Sequence, residues 1–266
     1  MKKERLDMLV FSRGLTESRE RAKTEIMSGN VYVDGQRQLK PGVAVSPDAD
    51  ITLKDMSVPY VSRGGLKLDK ALAVFRIDPT GKVCLDCGAS TGGFTDCLLK
   101  NGAKKVYAVD VGYGQLAWSL RSDHKVIVLE RTNIRYVTKS EIPEPIDLAV
   151  IDVSFISLKL VLPAVIALMH DKSEAVCLIK PQFEAGKEKV GKKGVVRDEK
   201  THRQVLTEFI GYAKESGFSP KALSFSPIRG PEGNIEYLGY LTRKRAEAYD
   251  IDVAEVVSKS HEAFIQ

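Results

Sequence analysis

Four cysteines and a single tryptophan in 266 residues argue against a disulfide framework, the usual device of small secreted domains. Cys84 and Cys87 form a C-x-x-C, but inside the strand-like run KVCLDCGAS, and no second Cys/His pair with zinc-ligand spacing accompanies them. With Cys97 and Cys177 they read as buried, inert thiols suited to a reducing cytoplasm. Long apolar runs are also missing. The longest, Leu158 to Met169, is about half of the roughly 20 residues that span a bilayer, and it contains Lys159 and Pro163. The opening segment MKKERLDMLVFSRG carries charge within its would-be apolar region, which excludes a signal peptide. A dominant charge is lacking too: 40 Lys+Arg against 35 Asp+Glu leave +5, too small an excess to indicate nucleic-acid binding without local clustering. No repeat or low-complexity segment stands out.

What is present is a chain with 43% hydrophobic residues, enough for a packed core, and a length that suits one large domain with a smaller one attached. In the first sixty residues, two short helices and a few small strands are expected. Ser18 caps a helix through RERAKTEIM, Asn30 ends it, and Asp34-Gly35 turns a hairpin. A small α+β domain over 1–54 is followed by a Pro- and Gly-bearing linker over 55–61. From Ser62 the pattern becomes helices alternating with continuous apolar strands, among them KVCLD, KVYAVDV, KVIVL, IDLAVIDVS and EAVCLIK. Helices are expected over GQLAWSL, around Leu158 to Met169 and from about Asp198 to Ser216. Strands without polar alternation, joined by helices, form a parallel sheet covered on both faces. The closing strands LSFSPIRG and IEYLGYLTR are separated by a short loop and read as antiparallel. The fold class is therefore α/β: a Rossmann-like, mostly parallel seven-stranded sheet over 62–245, with a helical tail over 246–266 to which no chemistry is assigned.

The first strand of this domain ends at Asp86, and Gly88-Ala89-Ser90-Thr91-Gly92-Gly93-Phe94 turns directly into a helix. Ligands of open α/β sheets bind at such carboxyl edges. Ser90 fills the second glycine position of a dinucleotide fingerprint, which weakens the case for a pyrophosphate cofactor. The second strand ends in Asp110, followed by Val111, where a carboxylate accepts the hydroxyls of a ribose. S-adenosylmethionine fits: the turn lies near its amino-acid part, Asp110 on its ribose, and Asp86 on loop amides or the ligand's ammonium. A plain tight turn with a solvated Asp110 is the alternative.

The segments D-x-G-A-S-T-G-G-F-T-D-C-L, A-V-D-V-G-Y-G-Q-L, I-D-V-S-F-I-S-L and L-I-K-P-Q-F-E resemble motifs of the TlyA family, bacterial proteins historically called hemolysins. The stretch RLDMLVFSRGLTESRERAKTEIMSGNVYVDGQ is similar to the alpha-L RNA-binding domain first seen in ribosomal small-subunit protein four. The resemblance implies an FtsJ-like, S-adenosylmethionine-dependent methyltransferase acting on a ribose 2′-hydroxyl, of cytidine, in ribosomal RNA. It implies a Lys-Asp-Lys-Glu tetrad that falls on Lys67, Asp152, Lys180 and Glu236. The short leader and tail point to the type that modifies the large subunit alone. Asp152 and Lys180 each close an apolar strand, where a charge is costly unless paired or used. A ribose hydroxyl is a poor nucleophile and a lysine is ordinarily protonated at neutral pH, so a neighbouring cation and desolvation are needed to make Lys180 a base. Lys67 is expected to supply that cation, with Asp152 positioning and Glu236 supporting. Asp152-Val-Ser-Phe in place of Asn/Asp-Pro-Pro-aromatic argues against an exocyclic amine as acceptor.

For RNA, KEKVGKKGVVR places Lys187, Lys189, Lys192, Lys193 and Arg197 in a flexible loop just past Lys180. Arg13, Arg19, Arg21 and Lys23 crowd the second helix of the small domain, although over residues 1–60 bases and acids nearly cancel, 10 against 9. Arg63, beside the linker, is a further candidate contact. Ribosomal RNA or a ribosomal subunit is the expected partner, with no membrane role. The competing readings are a non-catalytic ribosome-assembly factor, a membrane-active hemolysin and a NAD-dependent oxidoreductase. The intact tetrad, the missing membrane segment and Ser90 respectively count against them.

Overall fold

A computed structural model of the protein describes residues 3–16, 18–53, 58–244 and 250–264. The chain divides into two compact units, Met1–Ser57 and Val58–Gln266. Of the expected linker, residues 55–57 lie outside the described ones, as do 246–249, 265 and 266 of the expected tail.

In the first unit, β1 (Glu4–Arg5) leads into α1 (Leu6–Ser12), and α2 (Arg19–Met27) follows. The Ser18 side chain caps α2 by accepting from the Arg21 amide. The helix stops at Met27, earlier than Asn30, because Gly29 takes the left-handed conformation that closes its carboxyl end. Then come β2 (Val31–Val33), β3 (Gln36–Gln38), β4 (Ala44–Val45) and β5 (Ile51–Leu53), with the three-stranded order β3-β2-β5 and a separate β1-β4 pair. Asp34 and Gly35 both have positive φ, the signature of a two-residue turn whose twist matches the strands it joins. Leu6, Leu9, Val10, Ala22, Ile26, Val31 and Ile51 form the core. Beside them sits one charge, Asp7, with 0% exposure. It accepts from Arg5 Nε and Arg19 Nε, each at 2.9 Å.

The second unit contains α3 (Gly64–Phe75), β6 (Val83–Cys87), α4 (Gly93–Lys100), β7 (Lys105–Val109), α5 (Trp118–Arg121), β8 (Val126–Leu129) and β9 (Ile146–Ile151). After these come α6 (Leu162–Ala167), β10 (Met169–Ile179), α7 (Pro181–Glu184), α8 (Glu199–Glu215), β11 (Ser219–Phe225), β12 (Tyr237–Thr242) and α9 (Val253–Phe264). The seven strands lie in the order β11-β12-β10-β9-β6-β7-β8. All pair in parallel except β12, which is antiparallel to both neighbours. Two expected helices are shorter than their apolar periodicity suggests. GQLAWSL yields only α5, and Leu158 to Met169 splits into a 3-10 turn at Leu158–Leu160 and α6. There the Ser157 hydroxyl caps the turn, and Pro163 is tolerated because it sits in the first turn of α6.

Pleating sorts the core into two layers. Leu85, Cys87, Ile151, Cys177, Ile179 and Tyr237 face α6, α8 and α9. Cys84, Val150, Val176, Leu178 and Leu238 face Leu68, Ala71 and Leu72 of α3 and Leu98 of α4. Cys84 and Cys87 thus belong to opposite layers, and all four cysteines are free and buried. Burial pushes the Cys84 thiol up to about 12. Among the described residues, no cluster suits a metal ion and no helix is long and apolar enough to cross a membrane.

Asp7→Asn tests the buried charge of the first unit. Burial raises its pKa, but the bonds from Arg5 and Arg19 outweigh that and hold it below the usual carboxylate value. A lowered folded-state pKa gives stability that is present above the unfolded pKa and lost as pH falls through the folded one. At neutral pH the variant is expected to lose about 1–2 kcal/mol, discounted because both arginines are partly exposed. Amide exchange in α1 and α2 of the full chain reads this, and the deficit relative to wild type should vanish below the folded pKa.

Candidate active site

The chain lays β6, β7 and β8 outward to one edge of the sheet and then returns to place β9 on the other side of β6. Between the carboxyl ends of β6 and β9 the topology reverses, and such a crevice is where open α/β sheets take ligands. Gly88 makes the crevice narrow: at φ +85, a Cβ there would stand 2.5 Å from the Asp152 carbonyl oxygen. The turn after β6 therefore passes against the end of β9, an approach only glycine allows. A Cβ on Gly93 would meet Ser62 Oγ at 2.3 Å, so the start of α4 packs equally closely on the start of α3.

Ser90 adopts φ +49, and its amide donates to Asp110 Oδ2 at 2.8 Å. The Gly112 amide donates to Asp110 Oδ1 at 2.6 Å. Asp110 therefore ties the turn after β6 to the turn after β7, and each of its oxygens keeps a lone pair for another donor. Gln115, which the sequence did not single out, accepts from the Ser90 hydroxyl at 3.3 Å. The Val111 side chain is exposed. A cleft of about 110 Å³ is lined by Ser62, Gly64, Gly88 to Thr91, Gly93, Phe94 and Asp152. It shares Ala89 and Ser90 with a shallow recess that reaches Asp110, Gly112 and Gln115.

Asp86 lies beneath this cleft with 0% exposure. Its Oδ2 accepts from the Thr95 hydroxyl at 2.6 Å, while Oδ1 has no hydrogen-bond partner among the described residues. Burial pushes its carboxyl up to about 7; the Thr95 bond opposes this and the Asp152 charge adds to it.

Strand register explains how distant residues meet. Cys177 of β10 lies opposite Ile151 of β9, and Ile179 opposite Tyr237 of β12. Asp152, Lys180 and Glu236 consequently lie just beyond adjacent strand ends, at one edge of the sheet. By alternation from Val150, Leu178 and Leu238 they belong to the layer facing α3. Lys67 comes from α3 itself. Its ammonium donates to Glu236 Oε2 at 2.6 Å, with side-chain exposures of 10% and 1%. Lys180 stands 2.6 Å from Asp152 Oδ1 and donates to Ser154 Oγ at 2.9 Å. The first of these is an ion pair without hydrogen-bond alignment, so Asp152 Oδ1 can still accept a donor. The four residues thus form two ion pairs, each lysine with its own carboxylate.

Next to them is a residue the sequence reading passed over. Phe155 is 90% exposed at φ +62, and its ring centre lies 5.0 Å from that of Phe183. A bulky residue held in the left-handed region costs about 1–2 kcal/mol, and an exposed aromatic recovers none of it by burial. The available signal was an aromatic three residues past a strand-ending aspartate.

The expected RNA contacts are placed as follows. Lys187, Lys189, Lys192, Lys193 and Arg197 are all exposed, as is Arg63 at the start of α3. Their loop is anchored rather than loose: the Val196 amide donates to Asn234 Oδ1 at 2.9 Å, and Asn234 Nδ2 donates to the Gly194 carbonyl at 2.8 Å. In the first unit the basic side chains have intramolecular partners. Arg13 donates to the Ala49 carbonyl at 2.8 Å, Arg19 pairs with Asp7, Arg21 with Glu25 at 2.7 Å and Lys23 with Glu20 at 3.3 Å.

The chain matches two families, FtsJ-like methyltransferase over residues 60–243 and S4 domain over residues 4–51. It is 50% identical over 266 residues to YqxC of Bacillus subtilis, covering 98% of this chain and 95% of that one. It is 46% identical over 241 residues to the 16S/23S rRNA (cytidine-2′-O)-methyltransferase TlyA of Mycobacterium tuberculosis, covering 90% of each. A solved Streptococcus thermophilus protein bearing a hemolysin name superposes with TM-score 0.78 at 46% identity, over 99% of this chain and 98% of that one. The chain therefore belongs to the FtsJ-like methyltransferases, in the TlyA family, and carries an S4 domain ahead of the catalytic one.

Proposed function

We propose that the protein transfers a methyl group from S-adenosylmethionine to a ribose 2′-hydroxyl, on a cytidine, of ribosomal RNA. The observation that carries this is the pairing of Lys180 with Asp152, a carboxylate that itself lines the cleft formed by the turn after β6. The relatives named for cytidine-2′-O-methylation of rRNA supply the acceptor, and a ribosomal substrate implies a cytoplasmic protein. A 1–54 RNA-binding domain and a 62–245 catalytic domain accord with the two family matches.

The residues fit the cofactor. Asp110 retains lone pairs for ribose hydroxyls, the backbone from Gly88 to Phe94 lines the cleft, and small side chains keep it open. Asp86, being fully buried, acts from beneath by holding Thr95 in the first turn of α4. When bound, S-adenosylmethionine supplies a sulfonium-activated methyl carbon, so the protein has mainly to align the hydroxyl and take its proton. In its neutral amine form Lys180 Nζ accepts that proton as the oxygen–carbon bond forms, and Asp152, 2.6 Å away, pairs with the ammonium so produced, which must return a proton to solvent before the next turnover. Lys67 and Glu236 border the acceptor side as a second fixed pair. Phe155 and Phe183 offer an aromatic face at the mouth on which a base lifted from its stack can rest. Exposed lysines of the 187–197 loop contact phosphates.

Three outcomes test the reading. With purified unmodified ribosomal subunits and labelled cofactor, Lys180→Ala should reduce transfer by about 100-fold or more while subunit binding stays within about twofold. Equal loss of both would make Lys180 a binding residue. Asp110→Ala should weaken cofactor affinity about 10–100-fold by calorimetry, since it removes ribose acceptors and the tie between two turns. Phe155→Gly should lower transfer about tenfold without lowering the melting temperature, because glycine relieves the left-handed strain while removing the stacking face.

A further inference from the structure

The basic loop between α7 and α8 is held in an unusual way. Val196, 2% exposed and outside any helix or strand, has both backbone groups bonded to buried side chains. Its amide donates to Asn234 Oδ1 at 2.9 Å, and its carbonyl lies 3.1 Å from His202 Nε2. Asn234, 1% exposed, uses its amide nitrogen on the Gly194 carbonyl at 2.8 Å, so one side chain holds two residues of the loop's C-terminal limb. His202 on α8 is 0% exposed and backed by two further groups, His261 Nε2 on α9 at 2.9 Å and the Tyr237 hydroxyl at 2.8 Å. Tyr237 also meets the Ser260 hydroxyl at 2.9 Å. Burial holds His202 down at about 4, so the neutral ring donates from Nε2 to Val196 and accepts at Nδ1.

Between Asn234 and Tyr237 sits Glu236, the carboxylate that receives Lys67. The loop that precedes β12 is closed by the Ser226 amide donating to the Glu236 carbonyl at 2.8 Å. It is packed so tightly that a Cβ on Gly230 would lie 2.6 Å from Glu236 Oε1. The strand start that fixes a charged group of the active site is thus also the anchor of the loop bearing Lys187, Lys189, Lys192 and Lys193. The loop's own backbone bonds are short-range, with a 3-10 turn at Lys187–Lys189 and a Gly194-to-Gly191 bond, whereas Asn234 and His202 tie both backbone groups of Val196 to the body of the domain. Leaving such groups unpaired is costly, so the pinning is all-or-none.

We propose that Asn234 and His202 are positioning residues that hold the 187–197 loop as a pre-formed phosphate clamp at a fixed distance from Glu236, so that gripping the RNA backbone sets the ribose over the Lys180–Asp152 pair. This rests on the reading of the protein as an RNA ribose methyltransferase. A clamp ordered before binding avoids the entropy of ordering four lysine-bearing residues on contact.

The test measures binding of the full-length protein to unmodified ribosomal subunits across a salt series, together with KM and kcat for methyl transfer. Wild type must show salt-dependent binding and transfer; if it shows neither, the functional reading itself fails. Given that, Asn234→Ala and His202→Leu should raise the KM for subunits about tenfold and lower the slope of log affinity against log salt by about 1.5, or roughly two phosphate contacts. Cofactor affinity should be unchanged. His202→Gln, whose amide nitrogen reaches the Nε2 position, should restore most of the slope. The loop-tip variant Lys192→Ala/Lys193→Ala, which disturbs no buried group, should reproduce the slope change at an unaltered melting temperature. The proposal is overturned if the tip variant leaves the slope at its wild-type value. It is equally overturned if folded Asn234→Ala keeps the wild-type slope and loses only kcat, or if His202→Gln behaves as His202→Leu.

Discussion

Two lysines and two carboxylates brought out of water at one edge of a sheet set the terms for the rest of the catalytic domain. Lys67 and Glu236 are almost wholly enclosed, and Lys180 is 10% exposed beside Asp152. Desolvating four charges costs several kcal/mol per ion, which only close pairing and rigid surroundings offset. The surroundings are rigid because the carboxylates and Lys180 ride on the ends of hydrogen-bonded strands, while Lys67 stands on a helix packed against the same layer by Leu68, Ala71 and Leu72. Charges so placed are already paired and fixed without substrate, which is what electrostatic pre-organisation requires.

The cleft depends on the same constraint from the other direction. Paired charges at the rim are useful only if the ligand side stays open, and the turn after β6 keeps it open by having almost no side chains. Gly88 lets the turn run against the carbonyl of Asp152, so the rim carboxylate and the cleft floor are one contact apart. Asp110 then locks this turn to the next through two backbone amides. Asp86 beneath, fully buried and with an oxygen unpartnered among the described residues, is a polar group held at a cost that a purely structural turn would not carry.

Much of this was legible in advance where a local rule governs. The Asp34-Gly35 hairpin, the Ser18 cap, the parallel sheet and the antiparallel close follow from turn chemistry and from apolar runs without polar alternation. The glycine turn and the two acidic strand ends were visible as a motif. The helices over GQLAWSL and Leu158 to Met169 were overestimated, because apolar spacing marks burial and does not say which backbone donors a cap such as Ser157 will take. The basic loop read as flexible from its composition; its stiffness comes from Asn234 and His202, which are 38 and 6 residues from Val196. Phe155 escaped because its exposure and positive φ are tertiary facts.

By itself the sequence determined the elements, their order, and the identity of the groups that carry chemistry, since propensity, turn residues and strand-ending charges act over a few residues. It did not determine partnership. The motifs placed Lys67, Asp152, Lys180 and Glu236 in one site without saying which carboxylate each lysine would take. That was decided by strand register, which sets Lys180 between Asp152 and Glu236, and by the packing of α3, which delivers Lys67 to Glu236. Register and packing are settled by the whole buried face at once, and no short window of residues contains that information.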